Sequence, residues 1–422
     1  MEKQQQMPYE KGLDHSLKLL REGYSFIINR KQAFDSNVFE TKLLGEKVIC
    51  LTGSEAAELF YDTEKFKREG AAPEPVKKVL FGDGGVQALD GEAHRHRKAM
   101  FMDVMSQEQL ARVRDLTEKY WDAAAAAWEN RDEIVLYDEI NRIFTQTACE
   151  WTGIPLGDDE VDTRAGQLQE LFESSAEVSM SHLKARRDRS ELEDWVKQYI
   201  RDVRNETRDV PEHTPLYKFS HHLDHNNEKL DEQTVAVELL NLIRPLVAIS
   251  VYVVFTALAL HEYPNEKEKL HTREEKRLEW FIQEVRRFYP FFPFTAARVN
   301  KSFSWNGYEF EEETLTLLDL YGTNHHPGDW NHPETFAPDR FADWDESPFN
   351  FIPQGGGEFD LGHRCAGEWV TIDLMKVSLD YIAHKLNYTL PEQDLSYSLA
   401  EIPALPASGI RMKNVKRKDT VN

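Results

Sequence analysis

Cys365 differs from the other two cysteines, Cys50 and Cys149, in its setting: Gly355, Gly356, Gly357 and Gly362 precede it, and Gly367 follows at the head of a helical pattern. Glycine lets a backbone approach a bulky planar group closely and leaves amide hydrogens free to bond a sulfur. A cysteine at a helix N-terminus has its thiolate favoured by the dipole and the open N–H groups, and a thiolate can ligate iron. On this segment alone, a glycine-rich turn around an inert buried cysteine fits equally well. An odd cysteine count with no Cys-x-x-Cys pair speaks against a disulfide framework or a zinc ribbon and for a reducing compartment.

A second group is Glu284-Val-Arg-Arg287, just before Tyr289-Pro290. Glu and Arg three apart share a helix face, and taken alone such a pair is more often solvated. Between it and the cysteine runs PGDWNHPETFAPDRF, from Pro327 to Phe341 and including Arg340. Its prolines exclude regular structure, so something outside the segment must fix its path. His325, His326 and His332 lie in or beside it, with a metal cluster as the weaker reading.

The third group is Arg244-Pro245, opening the apolar run PLVAISVYVVFTALAL. Proline removes one helical hydrogen bond and crowds the carbonyl four residues back, which predicts a kink or an opening there. A guanidinium projecting from that turn needs an anion, and no acidic residue is adjacent in sequence; otherwise its charge must reach the surface or a cofactor carboxylate.

These groups need a scaffold, and most of the chain carries helical periodicity. Ser106 opens SQEQLARVRDL with a Ser-x-x-Gln capping box. Further helices are predicted over 159–181, 191–207, 231–260, 274–288 and 367–385, and strands such as 47–52 and 303–310 are few. The run from Pro245 to Leu260 is short for a bilayer and reads as a core helix. Residues 209–231 read as surface loops, and no Gly/Ser linker or repeat divides the chain. The expectation is mainly α with a minor β-sheet region, one large domain over 1–422, and a frayed basic tail at 415–422.

At 422 residues with a net charge of −23, the chain can bury a large core, and its field repels phosphate backbones and anionic lipid heads. That excludes nucleic acid and membrane surfaces as partners. The N-terminus MEKQQQMPYEKGLDHSL lacks a signal-length apolar stretch, so the chain reads as cytoplasmic.

Taken in order, Glu-x-x-Arg, the proline-punctuated segment and the glycine-rich loop with its cysteine closely resemble the cytochrome P450 superfamily. The resemblance implies that superfamily's fold, haem b with Cys365 as its axial thiolate, and an ion-pair triad of Glu284, Arg287 and Arg340 beneath it. There are departures. Glu358, Leu361 and His363 stand where the superfamily usually has Phe, Gly and Arg, and Phe351 with the glycine triplet takes over in a lengthened loop. The acid-Thr pair of the central helix, which delivers protons to dioxygen, is absent from Asn241-Leu-Ile-Arg244-Pro245 and the residues after it.

Arg244-Pro245, FIPQGGG and HRCAGEW are similar to the bacterial fatty-acid peroxygenase branch, over nearly the whole chain. Membership would make Arg244, Pro245 and Gln87 the catalytic group. Arg244 would hold the carboxylate of a long-chain fatty acid, and that carboxylate would act as acid and base while hydrogen peroxide is cleaved. The product would be a 2- or 3-hydroxy acid, with no redox partner required. Gln87 stands where decarboxylating members tend to carry His and hydroxylating members Gln. Phe81 would be a pocket wall, and His94 and Arg68, with Tyr289 and Arg298 as further candidates, would meet the haem propionates. Phe288, Phe291, Phe292 and Phe294, interleaved with Pro290 and Pro293, would supply an apolar wall for the alkyl chain. The alternatives are oxidative decarboxylation to terminal alkenes, a monooxygenase fed by a reductase, and a non-catalytic haem carrier.

Overall fold

The apolar run after Arg244 forms the spine of the molecule. In this computed structural model, which describes residues 6–174 and 180–418, it folds as two consecutive helices, Glu232–Ala248 and Ser250–Glu262. Every side chain from Val251 to Leu260 is buried. By length and composition the combined stretch could cross a membrane, but it is buried inside the protein, as its all-round apolar surface requires.

The helix does not break at Pro245, against expectation. It continues to Ala248, and the interruption falls at Ile249, whose N–H turns back to Leu246 O at 3.3 Å. Leu242, Ile243, Leu246 and Val247 are buried around the proline, so packing holds the turn that the missing N–H would otherwise loosen.

The first half of the spine packs against Met180–Arg204 and Leu136–Thr152; the second half packs against Glu275–Phe288 and Glu368–Asp380. Those last two helices carry the Glu-x-x-Arg group and follow the cysteine loop. A five-stranded sheet lies to one side, in the order Val38–Leu43, Glu46–Leu51, Leu315–Asp319, Phe294–Val299, Phe66–Lys67. Glu46–Leu51 and Leu315–Asp319 run parallel, and the other pairs antiparallel. A smaller sheet joins Glu133–Val135, Arg411–Arg417 and Leu386–Thr389. Phe303–Trp305 and Tyr308–Phe310 pair through a turn in which Asn306 and Gly307 both have positive φ. The chain is 52% helical and 12% strand in a single domain.

Several local expectations are corrected. Ser106 caps Gln107–Trp128 by accepting from Gln109 N, but the Gln109 side chain bonds His213 O and Trp151 Nε1 instead of completing the box. The helix expected over 159–181 ends at Glu173, and residues 175–179 lie outside the described part. The next helix begins at Met180, well before residue 191. Pro215–His221 is a helix within the expected loop: Thr214 caps it, Pro215 starts it, and Leu216 and Phe219 bury its apolar face. The tail is not frayed from residue 415, because Arg411–Arg417 is a strand paired on both sides and Val415 is buried; residues 419–422 lie outside the described part.

Candidate active site

The Glu-x-x-Arg pair is a buried structural centre and not a solvated ion pair. Glu284 and Arg287 are both 0% exposed, with Arg287 Nε and Nη2 donating to the two carboxylate oxygens at 2.8 and 2.9 Å. Arg340 Nε reaches the same carboxylate at 3.2 Å, and Ala337 N donates to it at 2.8 Å. The remaining guanidinium donors bond carbonyls: Arg287 reaches Asn324 O at 3.0 Å, and Arg340 reaches Asn331 O and Thr335 O, each at 2.8 Å. Two charges taken out of water are tolerable only with this many bonds, and these bonds fix the path of the proline-punctuated segment. Asn324 Oδ1 accepts from Ile352 N at 2.8 Å, so the same centre anchors the start of the cysteine loop.

Cys365 is a free cysteine in a residue position that is only half-buried, though its thiol lies inside. Burial pushes its pKa up, while the Lys98 ammonium and the Gly367 N–H work in the opposite direction. Gln354 Nε2 lies 3.9 Å from Sγ and 3.0 Å from Thr371 Oγ1, and its Oε1 accepts from Arg286 Nη2 at 3.0 Å. Arg286 pairs with Glu368 at 2.7 Å, and Arg364 Nε holds the other oxygen of Glu368 at 2.6 Å. The glycine triplet serves packing against protein. A Cβ on Gly355 or Gly357 would meet the Tyr61 side chain at 3.1 or 3.0 Å, one on Gly356 would fall 2.4 Å from Pro348 O, and Gly355 and Gly357 have φ of +91 and +81°.

Beside the cysteine loop sits a cationic group with too few anions. His94 stacks on His363 with centroids 3.8 Å apart, and His363 Nε2 lies 3.6 Å from Asp90 Oδ1. Asp90 is largely taken by the backbone N–H groups of Arg68 and Glu69. The Arg68 guanidinium lies over the Phe60 and Tyr61 rings, and its Nη1 is buried without a hydrogen-bond partner. Lys98 Nζ donates to Arg364 O. Burial depresses the pKa of Arg68, His363 and Lys98, and burial with the neighbouring His363 holds His94 down to about 3. The orphaned Arg68 donor beside a cysteine held by N–H groups fits haem: Cys365 would ligate its iron, and Arg68 and His94 would meet propionates.

Tyr289 does not join this group. The Tyr289 hydroxyl lies 3.2 Å from Glu262 Oε2, and its ring stacks on Phe255 at 4.6 Å in the core. Arg298 places one donor each on Gly70 O, Glu313 O and Glu46 Oε2. The Tyr289 hydroxyl hydrogen is therefore not free for a carboxylate, whereas Arg298 keeps two of its five N–H donors beyond these three bonds. Sequence reasoning passed over Lys98, Arg286, Gln354 and Glu368; only their place in or beside the quoted motifs could have marked them.

Arg244 is 4% exposed and its Nε is buried without a partner. Burial pulls its pKa down to about 9, and the Arg189 charge pushes the same way while Cys365 opposes. It remains a cation at neutral pH, and among the described residues no carboxylate pairs with it. Arg189 itself is neutralised by Glu193 at 2.6 Å and donates to the carbonyls of Leu80 and Phe81, tying down the turn Lys77–Phe81 that presents Phe81. Gln87, in the short turn Val86–Ala88, accepts from Asn241 Nδ2 at 3.2 Å. Asn241 also donates to the fully buried Glu238, which pairs with Arg97 at 2.7 Å.

The expected aromatic wall is split. Phe291 stacks on Tyr252 at 4.2 Å and meets Phe292 edge-on at 4.9 Å. Phe288 turns away toward Tyr263, Tyr289 and Phe336, and Phe294, on a sheet strand, packs with the cluster of Phe26, Phe39 and Val48. The histidines form no centre: His325 bonds Tyr321 O, His326 bonds Asn37 and Asp329, and among the described residues no group of three potential ligands is placed to hold a metal ion.

The cytochrome P450 family model matches residues 274–402. A curated relative, cytochrome P450 1A1 of Dicentrarchus labrax, is 34% identical over 144 residues, which is 32% of this chain and 26% of that protein, so the chain spans about a quarter of it. Solved structures match throughout. Cytochrome P450EX alpha (CYP152N1) with myristic acid is 51% identical at a TM-score of 0.95, covering 98% of this chain and all (100%) of that one. A single-residue variant of cytochrome P450 OleT with arachidonic acid is 35% identical at a TM-score of 0.96, covering 99% and 100%. With likeness of this extent over a fold that sets Cys365 among N–H donors and Arg244 within the core, the chain belongs to the cytochrome P450 superfamily, in its bacterial fatty-acid peroxygenase branch, CYP152.

Proposed function

We propose that the protein hydroxylates long-chain fatty acids at the alpha or beta carbon with hydrogen peroxide as oxidant. The observation that carries this reading is Arg244, a buried cation that no carboxylate among the described residues pairs with. A carboxylate is the partner its planar fork fits, and an acid seated there would offset the cost of the buried charge. The myristic acid of the P450EX alpha structure and the arachidonic acid of the OleT variant support a fatty acid as that partner.

Haem, held by Cys365, would supply the iron at which peroxide is split and the oxidising equivalent that attacks the acid. Arg244 binds and orients the carboxylate, which moves a proton from one peroxide oxygen to the other and so stands in for the missing acid-Thr pair. Pro245 shapes the turn that carries Arg244. Anchoring the carboxylate leaves only the nearest carbons within reach of the oxidant. Phe81, Phe291 and Phe292 exclude water along the alkyl chain. Arg68 and His94 bind the propionates. On this reading the enzyme works in the cytoplasm without a redox partner.

The test is product analysis by gas chromatography and mass spectrometry after mixing haem-loaded protein with a saturated long-chain acid and hydrogen peroxide, without a reductase. Hydroxy acids at the alpha or beta carbon are expected. A dominant terminal alkene would replace hydroxylation with decarboxylation, and turnover only with a reductase and NAD(P)H would make the enzyme a monooxygenase.

A further inference from the structure

We infer that Gln354 is a side-chain hydrogen-bond donor to the axial sulfur, locked in that role by Arg286, and that it sets how strongly Cys365 donates electron density to the iron. This rests on Cys365 being the haem ligand.

The two ends of a glutamine amide have the same shape, so the partners decide which end faces where. Arg286 can only donate, and its Nη2 lies 3.0 Å from Gln354 Oε1, so the oxygen faces the guanidinium. Arg286 cannot turn away. It is 1% exposed, it pairs with Glu368 at 2.7 Å, and Glu368 is gripped at its other oxygen by Arg364 at 2.6 Å.

The amide nitrogen must then face the other way, with two hydrogens to place. Thr371 Oγ1, at 3.0 Å, takes one: its hydroxyl donates to Gly367 O at 3.1 Å and is free to accept. The other is left for Cys365 Sγ at 3.9 Å, a long contact, as expected of a large and diffuse acceptor. The bond strengthens as the sulfur becomes anionic.

Such a donor differs in kind from the backbone N–H of Gly367, because its strength depends on a polarising charge one bond away. Arg286 withdraws density from the Gln354 oxygen and makes its N–H groups better donors. Hydrogen bonds to a ligating sulfur draw density from it and raise the reduction potential of the metal. Gln354 is therefore a positioning residue for the thiolate, and Arg286, inside the Glu-Val-Arg-Arg motif but outside the Glu284 triad, is its anchor.

The test uses full-length haem-loaded wild type, Gln354→Met and Gln354→Glu, with no peroxide or fatty acid present, so that it does not depend on the proposed reaction. Gln354→Met keeps the length and cannot donate. Gln354→Glu keeps the Arg286 bond but turns an oxygen toward the sulfur, and it decides the matter if the Met variant fails to load haem. Both variants should have a more negative ferric/ferrous midpoint potential and a higher iron–sulfur stretching frequency by resonance Raman, while keeping the thiolate band of the ferrous–CO complex. Unchanged potential and stretching frequency in variants that keep that band would overturn the inference. A wild type without the thiolate band would overturn it together with the ligand assignment.

Discussion

Asn241 donates through one amide nitrogen to Gln87 Oε1 at 3.2 Å and to Glu238 Oε2 at 3.1 Å. An ionised carboxylate only accepts, so Glu238 forces Asn241 to present its nitrogen, and Asn241 in turn claims the oxygen of Gln87. Among the described residues no hydrogen bond claims the Gln87 amide hydrogens. A residue usually described by its identity alone is thus given a polarity by its neighbours: Gln87 meets whatever lies beside it as a donor.

Gln87→His should therefore change the outcome of the reaction more than its rate of peroxide use. Imidazole can accept or donate according to its tautomer, whereas this glutamine is held as a donor. The expected result is a larger share of terminal alkene from the same acid, read by mass spectrometry. An unaltered product ratio would show that this position does not steer the outcome.

Glu238→Gln tests the ordering directly. Glu238 is 0% exposed and Arg97, its partner at 2.7 Å, has only 12% of its side chain exposed, so the change strands a mostly buried cation. The cost should be about 3 kcal/mol, measured by denaturant unfolding. Because Arg97 can only donate, it would claim the oxygen of a glutamine at 238 and turn the amide nitrogen toward Asn241; Asn241 should then turn its oxygen inward, the Gln87 amide should reverse its polarity, and the product ratio should shift as well. A loss of stability with an unchanged ratio would reduce Glu238 to a purely structural role.

Asp319 links stability to pH. It caps the turn at Leu320 by accepting from Gly322 N at 2.7 Å, but its Oδ2 is buried without a partner, and burial pushes its pKa up to about 7. A carboxyl whose folded pKa lies above its unfolded value of 3.8 stabilises the fold when protonated, so stability is lost as pH rises from about 4 through 7. Asp319→Asn keeps the acceptor for Gly322 and cannot ionise. The melting temperature of the wild type relative to this variant should fall between pH 5 and pH 8; a constant difference would show that Asp319 stays ionised throughout.

The parts legible in the sequence were those that chain order alone can carry. Glu284, Arg287, Arg340 and Cys365 sit in motifs, and the spine advertises itself as an unbroken apolar run. Polarity set across the fold was not legible: Gln354 becomes a donor through Arg286, and Gln87 through Glu238, which are 68 and 151 positions away by subtraction of their numbers. Tyr289 marks the same limit from the other side, since a hydroxyl is available to a cofactor only if no protein group claims its hydrogen first, and Glu262 does. Pro245 was read by its local effect, but packing around it moved the break to Ile249. The helix at Pro215 was hidden by flanking polar residues, although Thr214 and Pro215 spell its start.

Arg244 offers the sharpest test, because function and stability should move in opposite directions there. Among the described residues no anion pairs with the buried Arg244 guanidinium, and an unpaired buried charge costs stability, so Arg244→Met, which fills similar space without charge, should be more stable than wild type by about 1–4 kcal/mol. The same variant should lose fatty-acid turnover by on the order of a hundredfold or more in kcat/KM, as expected when one partner of a buried charge pair is removed, while still loading haem. Fatty acid should raise the melting temperature of the wild type and leave that of Arg244→Met almost unmoved, because only the former gains an ion pair on binding. Arg244→Lys should recover little activity, since a point charge cannot grip both carboxylate oxygens as the planar fork does. A structural arginine would behave in the reverse way: Arg244→Met would unfold more readily, and acid binding would be indifferent to the change. Finding that pattern would remove the carboxylate-anchoring role from Arg244 and with it the acid-assisted cleavage of peroxide.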